Sequence, residues 1–173
     1  MRRQPGLAAL LAINLLANAR ANCAFRISQI TALMRLHVIA RGKIGRSPEA
    51  ELVARYEKRI NWPLKLTELP ETGGNIPAPL TPCRTVLLDE RGKQMSSEDF
   101  AQILGRWRDE GVRETRFVLG AHDGHGDAAR AEADLLFAFG KATWPHLLAR
   151  AMLMEQLFRA TAILAGHAYH RAG

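Results

Sequence analysis

From Met34 onward the apolar residues alternate between the short period of strands and the longer period of helices. Strands are predicted over residues 35–40, 64–69, 85–89, 116–119 and 135–139. Helices are predicted between and after them, over residues 48–60, 96–110, 128–134 and 145–165. Strands that alternate with helices imply right-handed crossovers. The pattern therefore predicts an α/β fold with a mostly parallel sheet and helices on both faces.

Local signals mark the ends of three of the predicted helices. Ser47 and Pro48 are an N-cap followed by proline at the first helical position, and Ser96 with Asp99 resembles a capping box. Gly166 follows the longest apolar stretch and is expected to end the last helix.

Length and charge bound the class of protein. The 173 residues favour one domain with a real core. The net charge is +7, but residues 1–33 hold four arginines and no acid, so the remainder carries only +3. That balance permits a nucleic-acid partner without requiring one. Cys23 and Cys83 form no C-x-x-C pattern, which favours neither disulfide nor zinc and indicates a cytosolic, metal-free protein.

Residues 1–33 allow two interpretations. Arg2 and Arg3 followed by an apolar run over residues 7–16 imitate a secretory signal, although Asn14 interrupts a run that is too short to span a bilayer. Alternatively, translation starts at Met34, directly before the first strand. We favour the second interpretation, which makes residues 1–33 a dispensable extension and residues 34–173 the domain.

Three loops follow predicted strands at the edge where α/β sheets bind ligands. They are the sequence Asp89-Glu90-Arg91-Gly92 and the glycine-containing residues 120–126 and 140–144. Glycines let a ligand approach the backbone, although in any one loop they can simply turn the chain. A Walker lysine motif and a G-x-G-x-x-G after the first strand are both missing from the sequence, which argues against a nucleoside triphosphatase and an ordinary dinucleotide domain.

Five motifs in order carry a resemblance to a known family. They are residues 87–93 (LLDERGK), 117–120 (FVLG), 143–146 (TWPH), 155–160 (EQLFRA) and the ending 169–171 (YHR). Together they resemble the RlmH family of knotted SPOUT methyltransferases. The resemblance implies a C-terminal trefoil knot, a homodimer, and methylation of N3 of a pseudouridine in 23S ribosomal RNA, with the assembled ribosome as partner and no membrane association.

The resemblance also implies a cofactor and its contacts. S-adenosylmethionine is expected to lie against backbone groups after three of the strands. The implied binding residues are Leu88, Gly120, Phe139, Gly140, Lys141, Ala142, Thr143 and Trp144.

The implied catalytic residues are His170, Tyr169, Arg171 and Glu155. Removal of the N3 proton needs a base, and the ordinary pKa of histidine makes His170 the best candidate, although a histidine near a terminus can be a plain surface residue. Tyr169 could orient the pyrimidine or anchor the tail, and Arg171 could bind phosphate. Glu155 could instead form an i, i+4 salt bridge with Arg159.

Two further features leave alternatives open. His146 is interpreted as a core or interface histidine. Ala121, where the family usually has a second glycine, and the irregular, shortened segment 71–82 keep a second function open, a noncatalytic RNA- or ribosome-binding module without a cofactor site.

Overall fold

The computed structural model describes residues 34–120 and 124–167. The interpretations of residues 1–33, of Ala121, and of Tyr169, His170 and Arg171 lie outside the described residues. The strands are β1 (Arg35–Arg41), β2 (Leu64–Leu69), β3 (Cys83–Lys93), β4 (Glu114–Leu119) and β5 (Leu135–Phe137). The helices are α1 (Pro48–Glu57), α2 (Ser97–Asp109), α3 (Asp127–Glu132) and α4 (His146–Leu164).

All five strands form one parallel sheet in the order β2-β1-β4-β3-β5, which confirms the predicted fold class. The connections β1 to β2 and β3 to β4 step toward the β2 edge, whereas β2 to β3 and β4 to β5 step toward the β5 edge. Right-handed crossovers therefore place α1 and α2 on one face, and segment 70–82 with α3 on the other.

The core lies between the sheet and the layer formed by α1, α2 and α4, because α4 packs against both other helices. Fully buried Leu36 and Val38 of β1 meet Phe100 of α2 and Leu157 of α4 in one apolar cluster. No helix in the described ranges is both long and apolar enough to cross a membrane.

The predicted helix ends are confirmed by their hydrogen bonds. Ser47 Oγ accepts from the Ala50 N–H at 3.3 Å, and Ser96 Oγ accepts from the Asp99 N–H at 3.1 Å. Gly166, with φ +71°, follows the end of α4. These caps fix where α1, α2 and α4 meet the edges of the sheet.

The opposite face of the sheet is partly polar and is covered by segment 70–82. The carboxylate of Glu114 is fully buried there and accepts from Arg35 at 2.8 Å and from the Leu80 N–H at 2.6 Å. His37 Nδ1 lies 2.6 Å from Glu114 Oε1, and its Nε2 lies 2.8 Å from Thr67 Oγ1. Glu114 thus ties β1, β4 and the covering segment together.

Four predicted strand boundaries are wrong by two residues or more, and two of these are the start of the third strand, at Cys83 instead of Thr85, and the end of the fifth, at Phe137 instead of Phe139. The third strand continues past Asp89 to Lys93, because Phe137 pairs first with Leu88 and again with Lys93. Residues 89–92, between Leu88 and Lys93, form an irregularity in the pairing with β5. Gly92 lies so close to β5 that a Cβ on it would be 2.6 Å from Phe137 N. The fourth strand starts at Glu114 instead of Arg116, since Glu114 pairs with both neighbouring strands.

Candidate functional site

A cleft of about 600 Å³ opens at the carboxyl ends of β3, β4 and β5. Its volume falls within the roughly 300–1,000 Å³ typical of small-molecule sites. The lining residues come from the second half of β3, the ends of β4 and β5, the segments that follow β4 and β5, and the first turn of α4. They are Leu88, Asp89, Glu90, Arg91, Leu119, Gly120, Gly124, Arg130, Phe137, Ala138, Phe139, Gly140, Ala142, Thr143, Trp144, Pro145, His146 and Ala149.

The Asp89 side chain fixes the wall formed by the second half of β3. Its Oδ1 accepts from the Arg91 N–H at 2.9 Å, and its Oδ2 accepts from Arg130 Nε of α3 at 2.7 Å. Burial disfavours the charged carboxylate, but the hydrogen bonds from Arg130 and the Arg91 backbone outweigh it and lower the pKa of Asp89. The wall therefore carries an ionised, already paired carboxylate at neutral pH.

The loop after β4 is held by backbone contacts and by His125. A Cβ on Gly120 would lie 2.8 Å from the Gly124 carbonyl oxygen, so the loop closes only with glycine at position 120. His125 Nε2 lies 3.0 Å from the Leu88 carbonyl oxygen, and burial lowers the pKa of His125. A neutral His125 donating to Leu88 therefore joins this loop to the end of β3.

The segment after β5 forms the opposite wall. Thr143 Oγ1 donates to Glu90 Oε2 at 3.0 Å, which links this wall to the end of β3. Trp144 Nε1 donates to the Phe139 carbonyl oxygen at 3.3 Å, and the residue is 42% exposed. Gly140 has φ +116°, a conformation that side chains rarely adopt. The wall thus combines exposed backbone with two aromatic rings.

The structure brings together seven of the eight residues predicted to bind the cofactor. Lys141 is exposed and does not line the cleft. The seven lining residues are Leu88, Gly120, Phe139, Gly140, Ala142, Thr143 and Trp144.

Two other predicted residues take different places. Glu155 lies in the middle of α4 outside the cleft lining, and its Oε1 accepts from Arg159 Nη2 at 2.6 Å, as in the predicted i, i+4 pair. His146 is exposed and lines the cleft, so its interpretation as a core histidine is wrong, while the alternative of an interface histidine stays a prediction.

Sequence reasoning missed Arg130, His125 and Arg150. The only signal for Arg150 is a cation in the first, apolar half of α4, and the structure buries its side chain completely. Arg130 and His125 are spaced like ordinary loop and helix residues, so nothing in the sequence pairs them with β3. Within the ranges that the structure describes, no three side chains of histidine, cysteine, aspartate or glutamate form a metal-binding group.

Comparison with known proteins matches the part of the chain that contains the cleft. The family model described as "Predicted SPOUT methyltransferase" matches residues 34–170. The chain belongs to the SPOUT methyltransferase family. A SPOUT methyltransferase is expected to hold its ligand beyond the carboxyl ends of strands, which is where the cleft lies. The knot implied by the resemblance stays a prediction.

Curated relatives match this SPOUT methyltransferase closely. A protein named ribosomal RNA large subunit methyltransferase H from Erythrobacter litoralis is 76% identical over 140 residues, which cover 81% of this chain and 100% of the relative. The protein of the same name from Novosphingobium aromaticivorans is 71% identical over 141 residues, with coverage of 81% and 100%.

One solved structure, the SpoU methyltransferase AviRb from Streptomyces viridochromogenes in complex with AdoMet, gives a weaker match. It is 12% identical with a TM-score of 0.46, and the alignment covers 78% of this chain and 62% of that one. A likeness at this level carries no argument about the site.

Proposed function

We propose that this chain methylates N3 of a pseudouridine in 23S ribosomal RNA, with S-adenosylmethionine bound in the cleft. The single observation that carries the proposal is a ligand-sized cleft at the carboxyl ends of β3, β4 and β5, in a chain 76% identical to a ribosomal RNA large subunit methyltransferase H along that relative's whole length.

The residues of the cleft fit the proposed cofactor. Leu88, Phe139 and Trp144 offer apolar surface for an adenine ring, while Gly120 and Gly140 leave backbone groups accessible beside it. The carboxylate of Glu90, which accepts a hydrogen bond from the uncharged Thr143, suits the positive sulfonium and amino groups. Lys141 stays in the proposal as a neighbour of this wall that contributes through its backbone. Once bound, S-adenosylmethionine supplies an electrophilic methyl group.

The chain's own residues then have two tasks, alignment and proton removal. Alignment of donor and acceptor for in-line displacement can contribute roughly 7–11 kcal/mol. We assign removal of the N3 proton to His170, orientation of the pyrimidine to Tyr169 and a phosphate contact to Arg171. Glu155 supports this group indirectly by holding Arg159 at 2.6 Å.

The proposal includes a homodimer formed through α4. Leu148 and Met152 are half-buried residues outside the core cluster, and they lie on one stripe of the helix with Glu155 and Arg159. A second copy of the chain could cover this stripe. The proposed setting is the cytoplasm, where assembled ribosomes are the substrate and no metal is needed.

The decisive experiment is transfer of labelled methyl groups from S-adenosylmethionine to ribosomes that lack the modification, followed by nucleoside analysis. We expect label on N3 of one pseudouridine. Calorimetry with S-adenosylmethionine separates this outcome from a noncatalytic RNA-binding module, which would give no heat of binding.

The matched variants for both measurements are Gly120→Val and Gly126→Val. A side chain at position 120 would collide with the Gly124 backbone, whereas a Cβ at position 126 meets nothing within 4 Å. We expect loss of cofactor binding only in the first variant. Binding that survives Gly120→Val would move the cofactor site away from this loop.

A further inference from the structure

We infer that the loop after β1, residues 42–47, is a preorganised binding surface for RNA phosphates, with Lys43 and Arg46 as its contacts. The inference deepens the proposed function and rests on it for the identity of the RNA. This loop belongs to none of the three segments that form the cofactor cleft.

Hydrogen bonds to neighbouring segments hold the loop backbone on both sides of Lys43. The Gly42 N–H donates to the Leu69 carbonyl oxygen at 2.9 Å, and the Ile44 N–H donates to Glu68 Oε1 at 2.8 Å. Arg150 of α4, which is fully buried, donates to the Gly42 carbonyl oxygen at 2.9 Å. Because the fold already orders this backbone, binding an anion there costs less entropy than binding it on a free loop.

Two cationic side chains of this loop are available to a binding partner. Lys43 and Arg46 are exposed, and neither forms an ion pair with any residue in the described part of the chain. Residues 42–47 contain no acid. Two glutamates lie against the loop: Glu68, which is paired with Arg150 at 2.6 Å, and Glu71, whose carboxylate borders Gly42. With Glu68 paired, the charges of Lys43 and Arg46 outweigh the single charge of Glu71, so the loop keeps a net positive charge.

The position of the loop makes RNA the fitting partner. A Cβ on Gly42 would lie 3.6 Å from Nε2 of His146, which lines the cleft, so the loop borders the rim that a polynucleotide must cross. A base that enters such a cleft leaves its flanking phosphates outside. Phosphates on that side of the cleft would meet Lys43 and Arg46, and such contacts position the RNA without reading its sequence.

The test compares two double variants of the full chain. Lys43→Gln/Arg46→Gln removes the loop cations, and Arg55→Gln/Lys58→Gln removes two exposed cations from the far end of α1 that form no ion pair among the residues the structure describes. At 1.5 Å per residue, that end of the helix is on the order of 15 Å from the loop. The probes are ribosomes lacking the modification and an RNA fragment containing the target region, with binding measured from low to high salt.

The loop variant should reduce the slope of log K against log salt by about 1.4–1.8 on both probes, the loss expected for two phosphate contacts. It should raise KM for ribosomes while kcat at saturation and S-adenosylmethionine affinity stay within about twofold of the unchanged protein. The α1 variant should leave the salt slope unaltered.

An unchanged salt slope in the loop variant would overturn the inference, as would a loss confined to ribosomes with none on the RNA fragment, because that result indicates a ribosomal protein as partner. Failure of the proposed function is a separate result: the unchanged protein would then transfer no methyl group at all.

Discussion

Arg150 and Glu68 form an ion pair of 2.6 Å that joins the first half of α4 to the end of β2. The Arg150 side chain is 1% exposed and also donates to the carbonyl oxygens of Gly42 and Arg41. One buried guanidinium thus connects three segments beside the candidate site. A planar group with several donors suits this role, whereas a lysine ammonium does not match its geometry.

The first prediction concerns that guanidinium. Arg150→Met should lower the free energy of unfolding by about 1–3 kcal/mol, since it removes the cationic partner of the partly exposed Glu68 and a buried donor to two carbonyl groups. Arg150→Lys should recover only part of the loss. Urea denaturation of both variants measures the effect, and equal stability of the lysine variant and the unchanged protein would contradict the role given to the guanidinium.

The second prediction concerns the close approach of Gly92 to β5. Gly92→Ala should destabilise the fold by about 1–3 kcal/mol, because its Cβ would lie 2.6 Å from the Phe137 backbone. It should also weaken ligand binding, since residues on both sides of the contact line the cleft. Gly126→Ala, at an open position with φ −68°, is the control and should cost less than about 1 kcal/mol. Similar losses in the two variants would show that the close approach is unimportant.

The third prediction concerns acid stability. Burial lowers the pKa of His37 below its ordinary value of 6.5 and outweighs the opposing hydrogen bond and charge of Glu114. Burial would raise the pKa of Glu114, but hydrogen bonds from the Leu80 backbone, His37 and Arg35 outweigh it and lower that pKa. At neutral pH a neutral imidazole therefore meets an ionised carboxylate.

Because the pKa values of His37 and Glu114 are both lowered, the free energy of unfolding decreases in acid. The contribution of His37 is complete above about pH 6.5 and is lost as pH falls toward its folded-state pKa, and that of Glu114 is lost at still lower pH. Unfolding free energies measured from pH 8 to pH 5 should show this decline. In His37→Gln the slope below pH 6.5 should fall by up to about 1.4 kcal/mol per pH unit, and an unaltered slope would remove His37 as its source.

The fourth prediction concerns the domain boundary. A chain that begins at Met34 should fold, dimerise and keep whatever activity the full chain has, because the elements described here and the family match all lie from residue 34 onward. Sedimentation and methyl transfer measure these properties. Met34→Ala in the full chain should cost about 2–5 kcal/mol, since this side chain is fully buried. A shortened chain that is insoluble or monomeric, where the full chain is neither, would refute the boundary.

The fifth prediction concerns the C-terminal residues. Deletion of residues 170–173 should leave S-adenosylmethionine affinity nearly intact and lower turnover by orders of magnitude. His170→Ala should lower the single-turnover rate by about 10²–10⁴, whereas Arg171→Ala should weaken RNA binding and lower its salt slope by about one phosphate contact. Undiminished single-turnover methylation by His170→Ala at saturating RNA would exclude this residue as the base.

Local signals explain what the sequence could predict. The caps at Ser47 and Ser96 act within three residues, and the apolar period identified all five strands. The continuation of β3 past Asp89 depends instead on pairing with Phe137, far along the chain. Glu114 and Arg150 are charged residues that sequence patterns assign to solvent, and only their tertiary partners make burial possible.

The sheet order also governs how this protein must fold. The central strands β1 and β4 are neighbours, although Arg35 and Glu114, whose side chains meet between them, are 79 residues apart. During synthesis more than half of the domain must therefore be translated after β1 before β4, its neighbour on the inner side of the sheet, is available for pairing. Such distant pairing delays the gain from burial until a long loop has closed. Folding should accordingly be slow and should start late in translation, so a nascent chain that ends at α2 exposes one side of its β1 backbone to chaperones.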